Sequence, residues 1–114
     1  MTIAATVRAA LADLRCATIL VAEAGSRVHD LLEEMRSVDG DVIVLVIDPG
    51  VTALDRAMLV AALGPLAAEL APAVRIGVID VVEGALPDHI DAAARFLATA
   101  RSSTGQLLTV SPEP

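Results

Sequence analysis

Three carboxylates that could bind a ligand stand where apolar runs of the sequence end. Glu23, Asp48 and Asp80 lie at or just past such ends, with Glu83 near the third. If the runs are parallel strands, their carboxyl ends share the sheet edge where α/β sheets bind ligands, and acids grouped there can hold Mg²⁺. The same side chains can also cap helices or face solvent, and Asp48 opens an ordinary Asp-Pro-Gly turn. We therefore expect no metal site, and we keep a ligand edge at these residues as an alternative.

The other reactive side chains show no catalytic or metal-binding spacing. His29 and His89 lack the HxxxH or HxH spacing of a metal site, which predicts two exposed helix histidines. Cys16 is the only cysteine and no histidine follows it at a suggestive position, so we interpret it as a small core residue. Arg56 could contact an anion at a helix N-terminus, but an ion pair with Asp55 or a neighbouring loop is the default expectation.

The composition predicts one globular α/β domain. The 114 residues are enough for a single core, and a hydrophobic fraction of 55% excludes global disorder. The chain has one Phe, no Tyr and no Trp. Its core must therefore consist of Val, Leu, Ile and Ala, which suits a parallel sheet covered by Ala-rich helices.

The charge pattern excludes several classes of partner. The formal net charge is −7 and all eight basic residues are scattered arginines, which gives no electrostatic footprint for nucleic acid or an anionic membrane.

A single cysteine cannot form an internal disulfide. The N-terminus does not resemble a signal peptide, and no apolar run reaches the roughly 18 residues of a membrane span. We expect a cytoplasmic protein.

Apolar, β-rich runs alternate with helical segments along the chain. The runs cover residues 16–22, 41–47, 74–81 and 106–110, and three of them are nearly continuous, as in strands buried on both faces. The helical segments cover residues 2–14, 26–36, 52–71 and 88–101, with Ser26 as the expected cap of the second. This alternation predicts a three-layer α/β fold with about four mainly parallel strands in sequence order. Residues 1–110 form its single domain, and residues 111–114 are a flexible tail.

The segment 52–71 is apolar on all sides. Residues 57–68 contain no charged side chain, whereas a helix on the surface of a monomer normally keeps a polar face. Gly64-Pro65 is expected to bend this helix. Burial on every side is difficult in so small a domain, so the pattern favours a protein interface. The alternative is a helix held by its own neighbours with an exposed alanine face.

Three segments resemble the later half of the short-chain dehydrogenase/reductase family. Residues 56–81, RAMLVAALGPLAAELAPAVRIGVIDV, are similar to the helix after the active-site lysine and the strand that follows it. Residues 93–110, AARFLATARSSTGQLLTV, resemble the last helix and strand, and residues 10–25, ALADLRCATILVAEAG, the run into the fourth strand. The resemblance implies a Rossmann-like half domain with an unusual crossover before the last strand.

The family's chemical groups are missing from the matching positions. Its Tyr-x-x-x-Lys pair aligns roughly with Thr52 and Arg56, and its NNAG asparagines with Ala22 and Glu23. Threonine cannot act as a phenolic acid, and an always-protonated arginine is a poor proton relay. The Gly-rich cofactor loop belongs to the family's first strand and helix, and nothing before Thr2 is expected to supply it. We therefore expect no catalytic residues, no cofactor and no cofactor-binding residues.

The resemblance also implies an interface. Family members pair through helices that correspond here to residues 26–36 and 52–71, and through the last strand. The predicted interface residues are apolar side chains of the long helix and that strand: Met58, Leu59, Ala62, Leu63, Leu66, Leu70, Leu107 and Leu108.

The leading hypothesis is a pseudoenzyme of biosynthesis that associates with a full-length ketoreductase of the family and stabilises or modulates it. A homodimer through the same helices is physically almost as plausible as this association with a ketoreductase. The alternative function is a small homodimeric α/β protein that binds a ligand, or catalyses a reaction, at the carboxylate edge. A receiver-like or anti-sigma-antagonist module is disfavoured because the acids do not follow a receiver pattern.

Overall fold

The computed structural model describes residues 3–10, 12–13, 17–100 and 104–112. Helices and strands alternate through these residues. The helices are α1 (Ile3–Ala10), α2 (Val28–Arg36), α3 (Ala53–Leu70) and α4 (Pro87–Thr99). The strands are β1 (Ala17–Ala22), β2 (Val42–Ile47), β3 (Arg75–Val81) and β4 (Gln106–Val110). None of these helices is long and apolar enough to span a membrane.

The four strands form one parallel sheet in the order β1-β2-β3-β4. The register pairs Ala17 with Val42, Val42 with Arg75, and Gly77 with Gln106. The predicted α/β class, the parallel strands and the sequential order are therefore confirmed. Cys16 lies outside the described residues, so its interpretation as a core residue stays a prediction.

Two predicted helix starts or ends need correction. The first helix was expected to reach residue 14, but α1 ends at Ala10, and Ala12 and Asp13 form a turn. Residues 11 and 14 themselves lie outside the described residues. Ser26 does not cap α2, whose N-cap residue is Arg27. The Ser26 hydroxyl instead accepts a hydrogen bond from the backbone N–H of Glu23 at 3.0 Å.

Two separate cores lie on the two faces of the sheet. On one face α2 and α3 pack against β1, β2 and β3 through Leu31, Met35, Leu59, Leu63 and Leu66. On the other face α1 and α4 pack through a second set of apolar side chains, which includes Val7, Ile90, Ala94 and Leu97. All six residues of β2 are buried, because this strand lies between both layers.

The connection through α4 has the opposite hand to the two before it. Each connection moves the chain one strand further in the same direction across the sheet. However, α2 and α3 lie on one face and α4 lies on the other. Connections between parallel strands are nearly always right-handed, so this crossover is the exception. The unusual crossover that the family resemblance implied before the last strand is therefore confirmed.

Local contacts fix α4 against β3. Arg75 donates hydrogen bonds from its guanidinium to the carbonyl oxygens of Ala100, at 2.6 Å, and Ala98, at 3.4 Å. A cation there satisfies carbonyls that the helix end leaves free and opposes the negative end of the helix dipole. Arg95 joins the other side of α4 to Asp13 by an ion pair of 3.4 Å, and its hydrogen bond lowers the pKa of the Asp13 carboxyl.

Gly77 allows α4 to lie close to the sheet. A Cβ at this position would be 2.9 Å from one methyl carbon of Leu97 and 3.0 Å from the other. Leu97 is itself buried, so it has little room to move away. Gly64 differs, because a Cβ there meets nothing within 4 Å.

We expect Gly77→Val to lower the free energy of unfolding by about 1–3 kcal/mol, since it overpacks this contact. Gly64→Ala is the matched control and should raise it by up to about 1 kcal/mol, because alanine is the better helix former. Urea unfolding followed by circular dichroism measures both changes. A Gly77→Val protein as stable as the parent would contradict the close packing.

Candidate functional site

Two of the three predicted edge residues contact one arginine, Asp80 through its carboxylate and Asp48 through its backbone carbonyl. Asp80 lies near the end of β3, paired in register with Ile47, and Asp48 directly follows β2. Arg56, in the first turns of α3, forms an ion pair with the carboxylate of Asp80. It also donates a hydrogen bond to the backbone carbonyl of Asp48 at 2.8 Å. The default expectation for Arg56 is therefore confirmed for a neighbouring loop, while its ion-pair partner is Asp80 instead of Asp55.

The Asp48 side chain has a structural role of its own. Its Oδ2 accepts a hydrogen bond from the backbone N–H of Gly50 at 2.8 Å, and its carbonyl accepts one from Val51 at 3.1 Å. These bonds close the turn that the Asp-Pro-Gly composition predicts. The turn leads directly to Thr52, the N-cap residue of α3. The Thr52 hydroxyl accepts a hydrogen bond from the backbone N–H of Asp55 at 3.2 Å.

Glu23 does not join the other two acids. It is exposed in the turn after β1, where its N–H and carbonyl both bond to Ser26. The acid that does lie beside Asp48 and Asp80 is Glu83. It lines two surface hollows, one of about 260 Å³ that also contains Arg56 and Asp80, and one of about 300 Å³ that contains Asp48. The sequence placed Glu83 near Asp80, but only the bend of the chain after Val81 brings it to the rim of both hollows.

The described part of the chain holds no group of three or more His, Cys, Asp or Glu residues placed to bind a metal ion. His29 and His89 are exposed, in α2 and α4, as predicted. At this edge of the sheet the Arg56 guanidinium is bound by the Asp80 carboxylate and by the Asp48 carbonyl. An anionic ligand at Arg56 would share the guanidinium with the Asp80 carboxylate.

Thr52 and Arg56 occupy the positions that resemble the family's tyrosine and lysine. Thr52 uses its hydroxyl as a helix cap, and the Arg56 charge is neutralised by Asp80. Compared with a tyrosine and a lysine, a threonine hydroxyl is the weaker acid, and a guanidinium does not deprotonate at neutral pH.

The predicted interface residues separate into three groups by burial. Leu59, Leu63 and Leu66 are buried in the core between α3 and the sheet, so for these three the prediction needs correction. They are the bulky side chains at helical spacing, and a helix on a sheet turns such a stripe inward. Met58 and Leu107 are exposed, by 47% and 39%, whereas the rest of the predicted set is partly buried: Ala62, Leu70 and Leu108.

The outward face of α3 includes residues that the prediction omitted. Leu54 is 70% exposed and is the most exposed large apolar side chain of the described residues. Small residues follow it on the same side of the helix, and all of them are exposed: Ala57, Ala61, Gly64, Pro65 and Ala68. The difference between a bulky and a small stripe was present in the sequence and could have identified both sides. We call these six residues, Leu54 included, together with Met58, the outer α3 face.

The Arg56–Asp80 pair is partly buried, with side chains 21% and 22% exposed. We expect Asp80→Asn and Arg56→Met each to cost about 1–2 kcal/mol of unfolding free energy, because each leaves a partly buried polar group without its partner. The double variant should cost clearly less than the sum of the two. Urea unfolding of the four proteins at neutral pH gives the coupling energy, and strict additivity would contradict the pairing.

The matched control is the ion pair between Arg36 of α2 and Glu69 of α3, at 2.8 Å. Its side chains are about half exposed, 53% and 52%. The same substitutions there, Arg36→Met and Glu69→Gln, should show a coupling energy below about 1 kcal/mol, since water screens an exposed pair.

Comparison with known proteins agrees with this architecture. No curated protein matches the chain. The family model described as short chain dehydrogenase-like protein, SDR-like, matches residues 5–110, from within α1 to the last residue of β4. This match covers nearly all of the α/β domain. The chain therefore belongs to the SDR-like family.

Proposed function

We propose that the chain is a non-catalytic SDR-like subunit that associates through the outer α3 face with a full-length ketoreductase of its own family. The observation that carries the proposal is the absence of charge on that face, where Leu54 and Met58 are 70% and 47% exposed. Contiguous apolar surface on a water-soluble domain is typical of a protein interaction site. The association would stabilise the partner or shape its pocket.

The geometry of the face supports helix-to-helix packing. Small side chains at Ala57, Ala61, Gly64 and Ala68 recur every three or four residues, so they lie on one side of α3. A partner helix can approach closely over such a stripe, and the larger Leu54 and Met58 can fill grooves on the partner at one end of it. An 18-residue helix is about 27 Å long, long enough to serve as the centre of an interface.

The non-catalytic part of the proposal rests on the matched positions of the family's acid and base. Thr52 caps α3 and Arg56 is paired with Asp80. The sequence has no tyrosine that could replace Thr52 from another position. A subunit with this set can retain the family's helix faces without its proton transfer.

A second candidate function uses the carboxylate edge. The hollows of about 260 and 300 Å³ share Glu83 and lie beside Asp80 and Asp48, which favours a small polar ligand there. In that case the chain would be a stand-alone, homodimeric α/β protein. A rise in melting temperature with Mg²⁺ or a nucleotide, lost in Glu83→Gln, would support this function over the first.

We expect Ala61→Glu to abolish association with a co-expressed full-length short-chain ketoreductase, because it places a charge at the centre of the outer α3 face. Ala92→Glu is the matched control, since Ala92 is an exposed alanine within α4 on the opposite side of the sheet. Co-expression followed by native mass spectrometry measures the complex.

The proposal fails if the parent chain does not form a complex with the reductase. It also fails in its choice of surface if Ala92→Glu and Ala61→Glu weaken the complex equally. Circular dichroism of both variants separates loss of binding from loss of folding.

A further inference from the structure

Exposed carboxylates lie on the helix next to the outer α3 face. Helix α2 is the neighbour of α3 on the same side of the sheet, and the Arg36–Glu69 ion pair joins the two helices. Asp30, Glu33 and Glu34 are all exposed on α2. With Leu31 and Met35 directed into the core, helical periodicity places Asp30 and Glu33 on the outward side. The combined surface is thus an apolar stripe with an acidic border.

The arginine side chains in and next to α2 do not offset the negative charge of this acidic border. Arg36 is already paired with Glu69. Arg27, the exposed N-cap residue of α2, is a single positive charge against three carboxylates. On the other side of α3 the exposed residues of β4 are uncharged, namely Gln106, Leu107 and Thr109.

We infer that this surface fits a different protein chain, one whose apolar helix is bordered by Lys or Arg, in preference to a second copy of itself. The inference rests on the proposed function and names the chemistry of its partner. The preference for a different chain follows from the cationic side chains that a second copy could contribute. The chain has no lysine, and the guanidinium groups of Arg56, Arg75 and Arg95 are bonded within the molecule.

Either two-fold arrangement of two copies through this surface leaves the acids uncompensated. A two-fold axis across the helices brings the two α2 borders together, so that like charges face each other. An axis along the helices places each acidic border over the uncharged β4 of the other copy, where carboxylates lose water without gaining a cation. Both arrangements weaken self-association, whereas a basic border on another chain would strengthen binding.

The first test uses the chain alone. Sedimentation equilibrium at about 0.1 M salt, where the Debye length is about 10 Å, should show the parent chain as a monomer. The neutralised variant Asp30→Asn/Glu33→Gln/Glu34→Gln should self-associate, and adding Ala61→Glu should return it to monomer. The matched control Glu23→Gln/Glu83→Gln/Asp88→Asn changes the net charge equally at exposed positions outside α2 and should stay monomeric.

The second test uses a full-length short-chain ketoreductase co-expressed with the chain. Its binding should weaken about tenfold between about 0.1 M and about 1 M salt, because exposed ion pairs contribute a few-fold each and are screened. The neutralised variant should bind more weakly at low salt and lose most of this salt dependence.

The outcomes distinguish the inference from the function on which it rests. A parent chain that dimerises at low salt, and that Ala61→Glu makes monomeric, keeps the outer α3 face as an interface but overturns the inference about the partner. So does a neutralised variant that remains monomeric, or reductase binding that does not depend on salt. A reductase that does not bind at all overturns the proposed function itself.

Discussion

Burial of a parallel sheet on both faces is the constraint on which the rest of this structure depends. Strand β2 is buried along its whole length, so helices must cover the sheet from both sides. The chain meets this requirement with α2 and α3 on one face and α1 and α4 on the other. Because each helix layer is only one helix thick, the outward side of every helix faces solvent. On α3 that side carries no charge between residues 57 and 68.

The reversed crossover follows from the same constraint. If α4 had followed the usual right-handed rule, it would lie on the same face as α2 and α3 and would leave Val44, Val46 and Ile79 covered by α1 alone. Its position on the other face buries these side chains under Ile90, Ala94 and Leu97. Gly77 and the bonds from Arg75 to the end of α4 hold that arrangement. The local sequence thus stabilises a crossover that general topology disfavours.

The strands were predictable because three of the four are nearly continuous runs of apolar residues in the sequence. A continuous run such as residues 42–47 can be buried on both faces only as a central strand, and the alternation with helices then sets the class and order of the sheet. The sides of α3 were harder, since an apolar helix has no polar face to orient it. The bulky stripe at Leu59, Leu63 and Leu66 held that information, in shape instead of polarity. The Arg56–Asp80 pair joins residues 24 positions apart, and no local pattern in the sequence encodes it.

The Arg56–Asp80 pair links the edge of the sheet to the start of α3. The carboxyl ends of β2 and β3 meet at one edge, and the first turn of α3 directs a cation toward it. That cation contacts Asp80 and the carbonyl of Asp48, and so fixes the start of α3 to the sheet. The start of the helix is the part that bears Leu54 and Met58. This edge of the sheet therefore positions the surface that we propose as the interface, and the two features are linked through a single helix.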